Sequence, residues 1–262
     1  MRFSTNAYNV WKVESQAIFD FSVLVSYSVP SLKMQISLLE KGKIQALPRP
    51  DYYRSTKEGY YSSDNLRESL KRRASTYKQQ TSSYMLLSLF SHFEAFVVDV
   101  IRELFEFHGG VDKFIKNYNK SVKKSFEVGN QNSNSKRKLT GNRKPQRRPQ
   151  YNEISRNLSS SGYMFPNELL SGYGIKMLNK KLGDLKSKEI PEVLMDCFHI
   201  DFSDDEVREF HDLRNLRNSI AHGRPPSLNI KSVTEKNQVL IGMAKKIDAH
   251  LSENFFIFNE FR

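Results

Sequence analysis

The chain has a single cysteine, Cys197, among 262 residues. That excludes an intramolecular disulfide framework and any zinc site built on several cysteines. With no His–acid partner nearby in sequence, Cys197 is expected in the core rather than in a nucleophilic site. Histidine is also scarce, at six. No pair is spaced His-x-x-x-His, so neither a metal nor another cofactor is expected. There is no GxxxxGK[ST] or GxGxxG loop to cradle a nucleotide phosphate. The N-terminus, Met1-Arg-Phe-Ser-Thr-Asn, lacks the apolar core of a signal peptide. No uninterrupted apolar run approaches membrane-spanning length. These absences together predict a cytoplasmic protein with no membrane partner.

Acidic residues are in short supply too: 29 Asp and Glu against 41 Lys and Arg, a net charge of +12. The excess is local. Residues 111–150 hold 12 Lys/Arg against Asp112 and Glu127, a net of +10, so the other 222 residues carry only +2. A nearly neutral body with one basic appendage points to a phosphate-bearing partner. Residues 129–150 are polar and basic with almost nothing to bury, and read as a mobile insertion. Lys136, Arg137, Lys138, Arg143, Lys144, Arg147 and Arg148 are its candidate RNA contacts.

Aromatic and aliphatic residues recur at helical spacing elsewhere, predicting an all-α bundle. Val10, Val13, Ala17, Phe21 and Leu24 mark a helix over 6–28, with Asn6 a possible N-cap and Pro30 ending it. A second helix is expected from Ser31 to Lys43. Residues 45–62 read as an irregular loop whose Tyr52, Tyr53, Tyr60 and Tyr61 either cover the bundle or stack on bases. Residues Tyr84–Phe105 form a central helix with a wide apolar arc. Gly109-Gly110 ends it, and a short helix is expected within 111–128. Later, Pro191 opens a short apolar helix, and Ser232 with Glu235 caps a last long one. The aromatic C-terminus, Phe255 to Phe261, suits a subunit interface. The whole reads as one helical domain, 1–262. It comprises an N-terminal helical extension (1–75), a basic insertion (111–160) and C-terminal helices (161–262) that carry the main motif.

That motif lies in Ser203–Gly223. Ser203 and Glu206 form a capping box, and Asp204 and Asp205 sit where the helix dipole favours negative charge. Gly223 suits a left-handed cap, and Pro225 and Pro226 stop continuation. Val207, Phe210, Leu213, Leu216, Ile220 and Ala221 share one face, with Arg217 in its middle and Arg214 at its edge. A guanidinium on an apolar face either snorkels to water or needs a partner. Glu94 projects inside the apolar arc of the central helix, so it either pairs with Arg217 or Arg214 or reaches solvent at a packing seam.

Arg217-Asn218-Ser219-Ile220-Ala221-His222 resembles the signature of the HEPN superfamily: an arginine, a polar residue, a short spacer and a histidine at a helix end. The wording is most similar to the RiboL-PSP and MAE-type HEPN proteins of prokaryotic defence and toxin systems. The Phe93-Glu94 pair also resembles their first long helix. The resemblance implies an all-α HEPN-type bundle, metal-independent RNA cleavage to cyclic-phosphate products, and a homodimer whose paired motifs line one cleft.

The residue types support that chemistry independently. RNA carries its own nucleophile, the 2′-hydroxyl, so an enzyme need only move protons and steady the phosphorane. Histidine serves as acid or base near neutral pH, which assigns that role to His222. A permanently charged guanidinium matches phosphate oxygens, which makes Arg217 the phosphate binder. Asn218 orients one or the other, with Glu94 and Arg214 in support. The helix C-terminus favours protonated His222, while Arg217 and Arg224 oppose it. One histidine is poorly placed to be base and acid on opposite sides of phosphorus. A second copy's His222 meets that need, and His211 or His92 are in-chain substitutes. The expectation is an endoribonuclease acting as a toxin or antiphage effector, with RNA as partner and an antitoxin or other defence-system component as a further one. The alternative is a non-catalytic RNA-binding or protein-partner module of such a system.

Overall fold

In a computed structural model, residues 4–48, 63–140, 144–224 and 226–257 are described. Tyr52, Tyr53, Tyr60, Tyr61, Arg143, Pro225 and Phe261 lie outside them. The described residues form nine α-helices and two 3-10 turns, without strands. They are α1 (Asn6–Glu40), α2 (Asp64–Phe107), α3 (Val111–Gln131), α4 (Ser133–Leu139), α5 (Arg148–Ser160), α6 (Pro166–Leu182), α7 (Ile190–Phe198), α8 (Asp204–Ala221) and α9 (Ile230–Asn254). The fold is all-α. Backbone contacts divide the chain into two compact units, Met1–Val100 with Lys186–Phe255, and Ile101–Leu185 with Phe256–Arg262.

The first unit is built on α2. Its apolar residues Met85, Leu86, Leu89, Phe90, Phe93, Phe96, Val97 and Val100 are all buried. They recur at i+3, i+4 and i+7, the spacing of a wide core-facing arc. Phe210 of α8 packs on Phe90 and Phe93, with ring centroids 5.3 and 5.9 Å apart. Trp11 of α1 meets Phe93 and Phe96 at 6.4 and 5.7 Å. Each such side chain contributes roughly 2 kcal/mol by leaving water. α2 also holds an 18-residue stretch of mean hydropathy 1.5, long and apolar enough to cross a membrane by length and composition. Half of that stretch is buried inside the bundle, and a core helix passes the same test.

α1 corrects the sequence reading in three ways. It is one helix, not two: Pro30 lies inside it, on an exposed position. Nearby, the hydroxyls of Ser26 and Ser28 bond back to the carbonyls of Ser22 and Leu24. The N-cap is Thr5, whose hydroxyl accepts from the Tyr8 N–H at 3.2 Å. Thr5 is in turn held by Asp248 of α9, which accepts from the Thr5 N–H at 2.9 Å and from its hydroxyl at 2.7 Å. Finally, the buried side of α1 carries Ala7, Trp11, Ser15 and Ser22. The expected core stripe of Val10, Val13, Ala17, Phe21 and Leu24 is exposed. α1 and α2 run antiparallel, joined by the Trp11 rings near one end and by Lys71–Glu40 at 2.9 Å near the other. Between these points lies a groove of about 540 Å³ lined by Ile18, Phe21, Val25, Leu70, Tyr77 and Met85.

α7 begins with Pro191 in its first turn, as expected. Cys197 on it is exposed, not in the core. α9 starts earlier than the expected Ser232–Glu235 box. Asn229 caps it, its side chain accepting from the Ser232 N–H at 2.8 Å while the Ser232 hydroxyl accepts from the Asn229 N–H at 3.2 Å.

Over residues 129–150, expected as a mobile insertion, the described residues are largely helical. α3 continues to Gln131, α4 follows at once, and a 3-10 turn at Pro145–Arg147 leads into α5. Lysine, arginine and glutamine are good helix formers, and the few apolar contacts suffice. The second unit is seamed by α3 on α6. The Tyr118 hydroxyl donates to the carbonyl of Leu169, and its ring lies where a Cβ on Gly172 would stand. The Ser125 hydroxyl accepts the Met164 N–H at 2.5 Å. Gly109 and Gly110, with φ of +82° and +91°, end α2.

A candidate active site on the motif helix

α8 starts and stops where its sequence says it should. Ser203 accepts the Glu206 N–H at 3.2 Å, and Glu206 accepts the Ser203 N–H at 2.9 Å. Glu206 also takes the Lys246 ammonium at 2.7 Å, which ties the start of α8 to α9. Burial alone would raise the Glu206 carboxyl, but the bonds from Lys246 and Ser203 outweigh it and hold the group below the usual range. At the other end Gly223 takes φ +73°. The Arg224 N–H bonds to the Ser219 carbonyl at 2.8 Å, and the Gly223 N–H to the Ile220 carbonyl at 3.0 Å, a Schellman termination. It leaves His222 as the C-cap residue, exposed.

Arg217 is gripped from three sides. One terminal nitrogen donates to Glu94 at 3.0 Å, and the other to the Asn218 side-chain oxygen at 3.1 Å. The guanidinium carbon lies 5.9 Å from the Phe90 ring centre. Of the two arginines considered for Glu94, Arg217 therefore makes the contact. The pair is neither sealed nor free: its side chains are 28% and 24% exposed. The Arg217 Nε is buried without a partner, a donor unused inside the bundle. Asn218 precedes His222 by four residues, one turn along the same face. The chain Glu94–Arg217–Asn218 thus leads toward the imidazole.

Arg214 stands apart from this chain. It donates to Asn215 at 3.0 Å, and its Nε is buried and unpartnered. It lies close enough to His211 to disfavour a charge there; burial and then Arg214 lower the His211 pKa, with Asp212 opposing. Lys136, Arg137 and Lys138 are exposed on α4, Lys144 and Arg147 lie before and in the 3-10 turn, and Arg148 opens α5. These belong to the second unit and the motif residues to the first.

Sequence reasoning missed Phe90 at the site and a buried polar residue, Asn237, on α9. Phe90 is the platform under Arg217, and its signal was its place one turn before Glu94 on the same face of α2. Asn237 is 1% exposed with neither amide atom partnered. Its signal was a polar residue between Val233 and Leu240 on the buried face of α9.

The model of the RiboL-PSP-HEPN family matches residues 61–253, which includes Glu94 and the whole motif helix but not α1. No curated protein and no solved structure matches the chain. That family is helical, as this chain is, and points to a nuclease or RNA-related role. With three quarters of its length matched, including the helix that presents Arg217 and His222, the chain belongs to the RiboL-PSP-HEPN family.

Proposed function

We propose that the protein is a metal-independent endoribonuclease serving as a toxin or antiphage effector. The observation that carries this reading is the held guanidinium of Arg217, five residues before an exposed His222 at the end of the same helix. In the proposed reaction His222 takes the proton of a ribose 2′-hydroxyl, whose oxygen attacks the adjacent phosphorus. Arg217 stabilises the charge that grows on the phosphorane oxygens, an effect worth several kcal/mol per well-placed donor. Expulsion of the 5′-oxygen leaves a 2′,3′-cyclic phosphate. The leaving oxygen needs a proton from the opposite side, and His222 of a second copy supplies it. Asn218 holds the plane of the guanidinium, and Glu94 its position. The basic residues of α4 and α5 hold the RNA backbone.

The test is cleavage of a labelled RNA in EDTA. Wild type should give cyclic-phosphate ends, and His222→Ala and Arg217→Ala should each lose activity by at least 100-fold, on the order of a positioned acid–base or oxyanion group. Mixing the two inactive variants should not restore full activity. A requirement for Mg²⁺, or full activity of His222→Ala, refutes the proposal. A non-catalytic reading is favoured by one observation: Glu94 already matches the charge of Arg217. On that reading RNA binds equally to wild type and His222→Ala, and no ends appear in either.

A further inference from the structure

We propose that α3 carries a second RNA site, a lysine face that tracks the backbone of an unpaired strand. None of its residues is among the basic contacts assigned above, and the inference rests on the RNA reading of the protein. Lys116, Lys120, Lys123 and Lys124 are all exposed. At about 100° per residue they fall within an arc of about 100°, and they span about 12 Å of helix axis. The opposite side of α3 holds Phe114, Tyr118, Val122, Ser125 and Gly129, and faces α6 through Tyr118 and Gly172. The helix is therefore amphipathic, with one side used in folding and the other offered to solvent.

A solvated helix face normally mixes signs, because glutamate and lysine one turn apart support each other. This face does not. Lys120 has Lys116 at i−4, Lys123 at i+3 and Lys124 at i+4, and no acid at those spacings. Each like-charged pair opposes the helix, and a polyanion along the face removes that opposition. Asp112 and Glu127 bound the patch at its two ends.

The neighbouring features narrow the partner. Phe126 is 52% exposed and lies about 60° round the helix from Lys123. An exposed ring beside a row of ammonium groups is the combination that holds single strands, since unpaired bases stack and phosphates follow the charge. An anionic bilayer fits less well. Membrane-binding helices insert their apolar side, and that of α3 is already packed on α6.

Binding is measured by fluorescence anisotropy on full-length His222→Ala protein in EDTA, with an unstructured 20-nucleotide RNA, so cleavage plays no part. Neutralising all four lysines to glutamine should weaken binding at least tenfold near 0.1 M salt. It should also flatten the slope of log affinity against log salt by about 3, the release expected of four phosphate contacts on a single strand. Phe126→Ala should weaken binding at least fivefold. Lys176→Gln with Lys180→Gln, exposed on α6 of the same unit, should change the slope by less than 1. Equal loss per charge in that control, tighter binding to the matching duplex, or lysine-dependent binding only to phosphatidylserine vesicles each overturns the inference. Circular dichroism checks that the quadruple variant stays folded; if it does not, the two-lysine variants Lys116→Gln/Lys120→Gln and Lys123→Gln/Lys124→Gln replace it, with half the slope change each. Lysine-dependent binding by a wild-type protein that leaves the RNA uncleaved would refute the nuclease reading and leave this site standing.

Discussion

Removing Arg217 should cost more than removing Glu94, although the two form a single ion pair. The pair meets at 3.0 Å with about a quarter of each side chain exposed. Fully exposed pairs contribute about 0–1 kcal/mol, and deleting one member of a buried pair costs about 3–5 kcal/mol. Three-quarters burial puts Arg217→Met at about 2–3 kcal/mol, because it strands the Glu94 carboxylate against Phe90. Glu94→Gln should cost about 1–2 kcal/mol: the amide oxygen still accepts from Arg217, which keeps Asn218. For a chain of this size each kcal/mol shifts the melting temperature by about 2–4 °C, so the two variants should separate by several degrees. Urea unfolding of both singles and the Glu94→Gln/Arg217→Met double closes a mutant cycle, with a coupling of about 1–2 kcal/mol expected. Additive singles, or an Arg217→Met variant as stable as wild type, would show that the contact is ornamental and that the guanidinium is not held for a purpose.

Gly223→Ala forces a Cβ onto a backbone at φ +73° and should cost about 1–2 kcal/mol in urea, with His222 displaced enough to reduce cleavage more than stability alone explains. The pH dependence of stability has a definite sign at two places. The depressed Glu206 carboxyl contributes stability that is complete above its unfolded value, near 4.3, and disappears as pH falls through the folded one, so Lys246→Met should flatten the acid limb of the urea midpoint. His211, also depressed, favours its neutral form in the fold. Its contribution is complete above about pH 6.5 and declines as pH falls, and His211→Asn should remove that step.

What could be read before folding was what depends on near neighbours. The two ends of α8 are set by Ser203, Glu206 and Gly223 acting on backbone within a turn, and all three behave as their chemistry dictates. The partner of Glu94 was narrowed to two arginines or solvent, because a carboxylate inside an apolar helix arc needs a cation if it is buried. α1 was misread for a different reason. Periodicity locates an apolar stripe but not which side another helix will cover. Here α2 and α9 take the side with Ala7, Ser15 and Ser22, where small side chains flank Trp11. Pro30 marked a helix end by local rules, yet its exposure leaves the helix intact. The helices of the basic segment were not foreseen because a scarcity of core residues argues against burial, not against helix.

The clamp of Thr5 by Asp248 spans 243 residues of chain. During synthesis the first helix emerges long before its anchor exists, and it cannot be fastened until the ribosome has made most of α9. Until then Trp11 has only α2 to rest on. A ribosome that stalls before α9 therefore leaves a chain whose α1 is loose, so docking of α1 reports that α9 has been made.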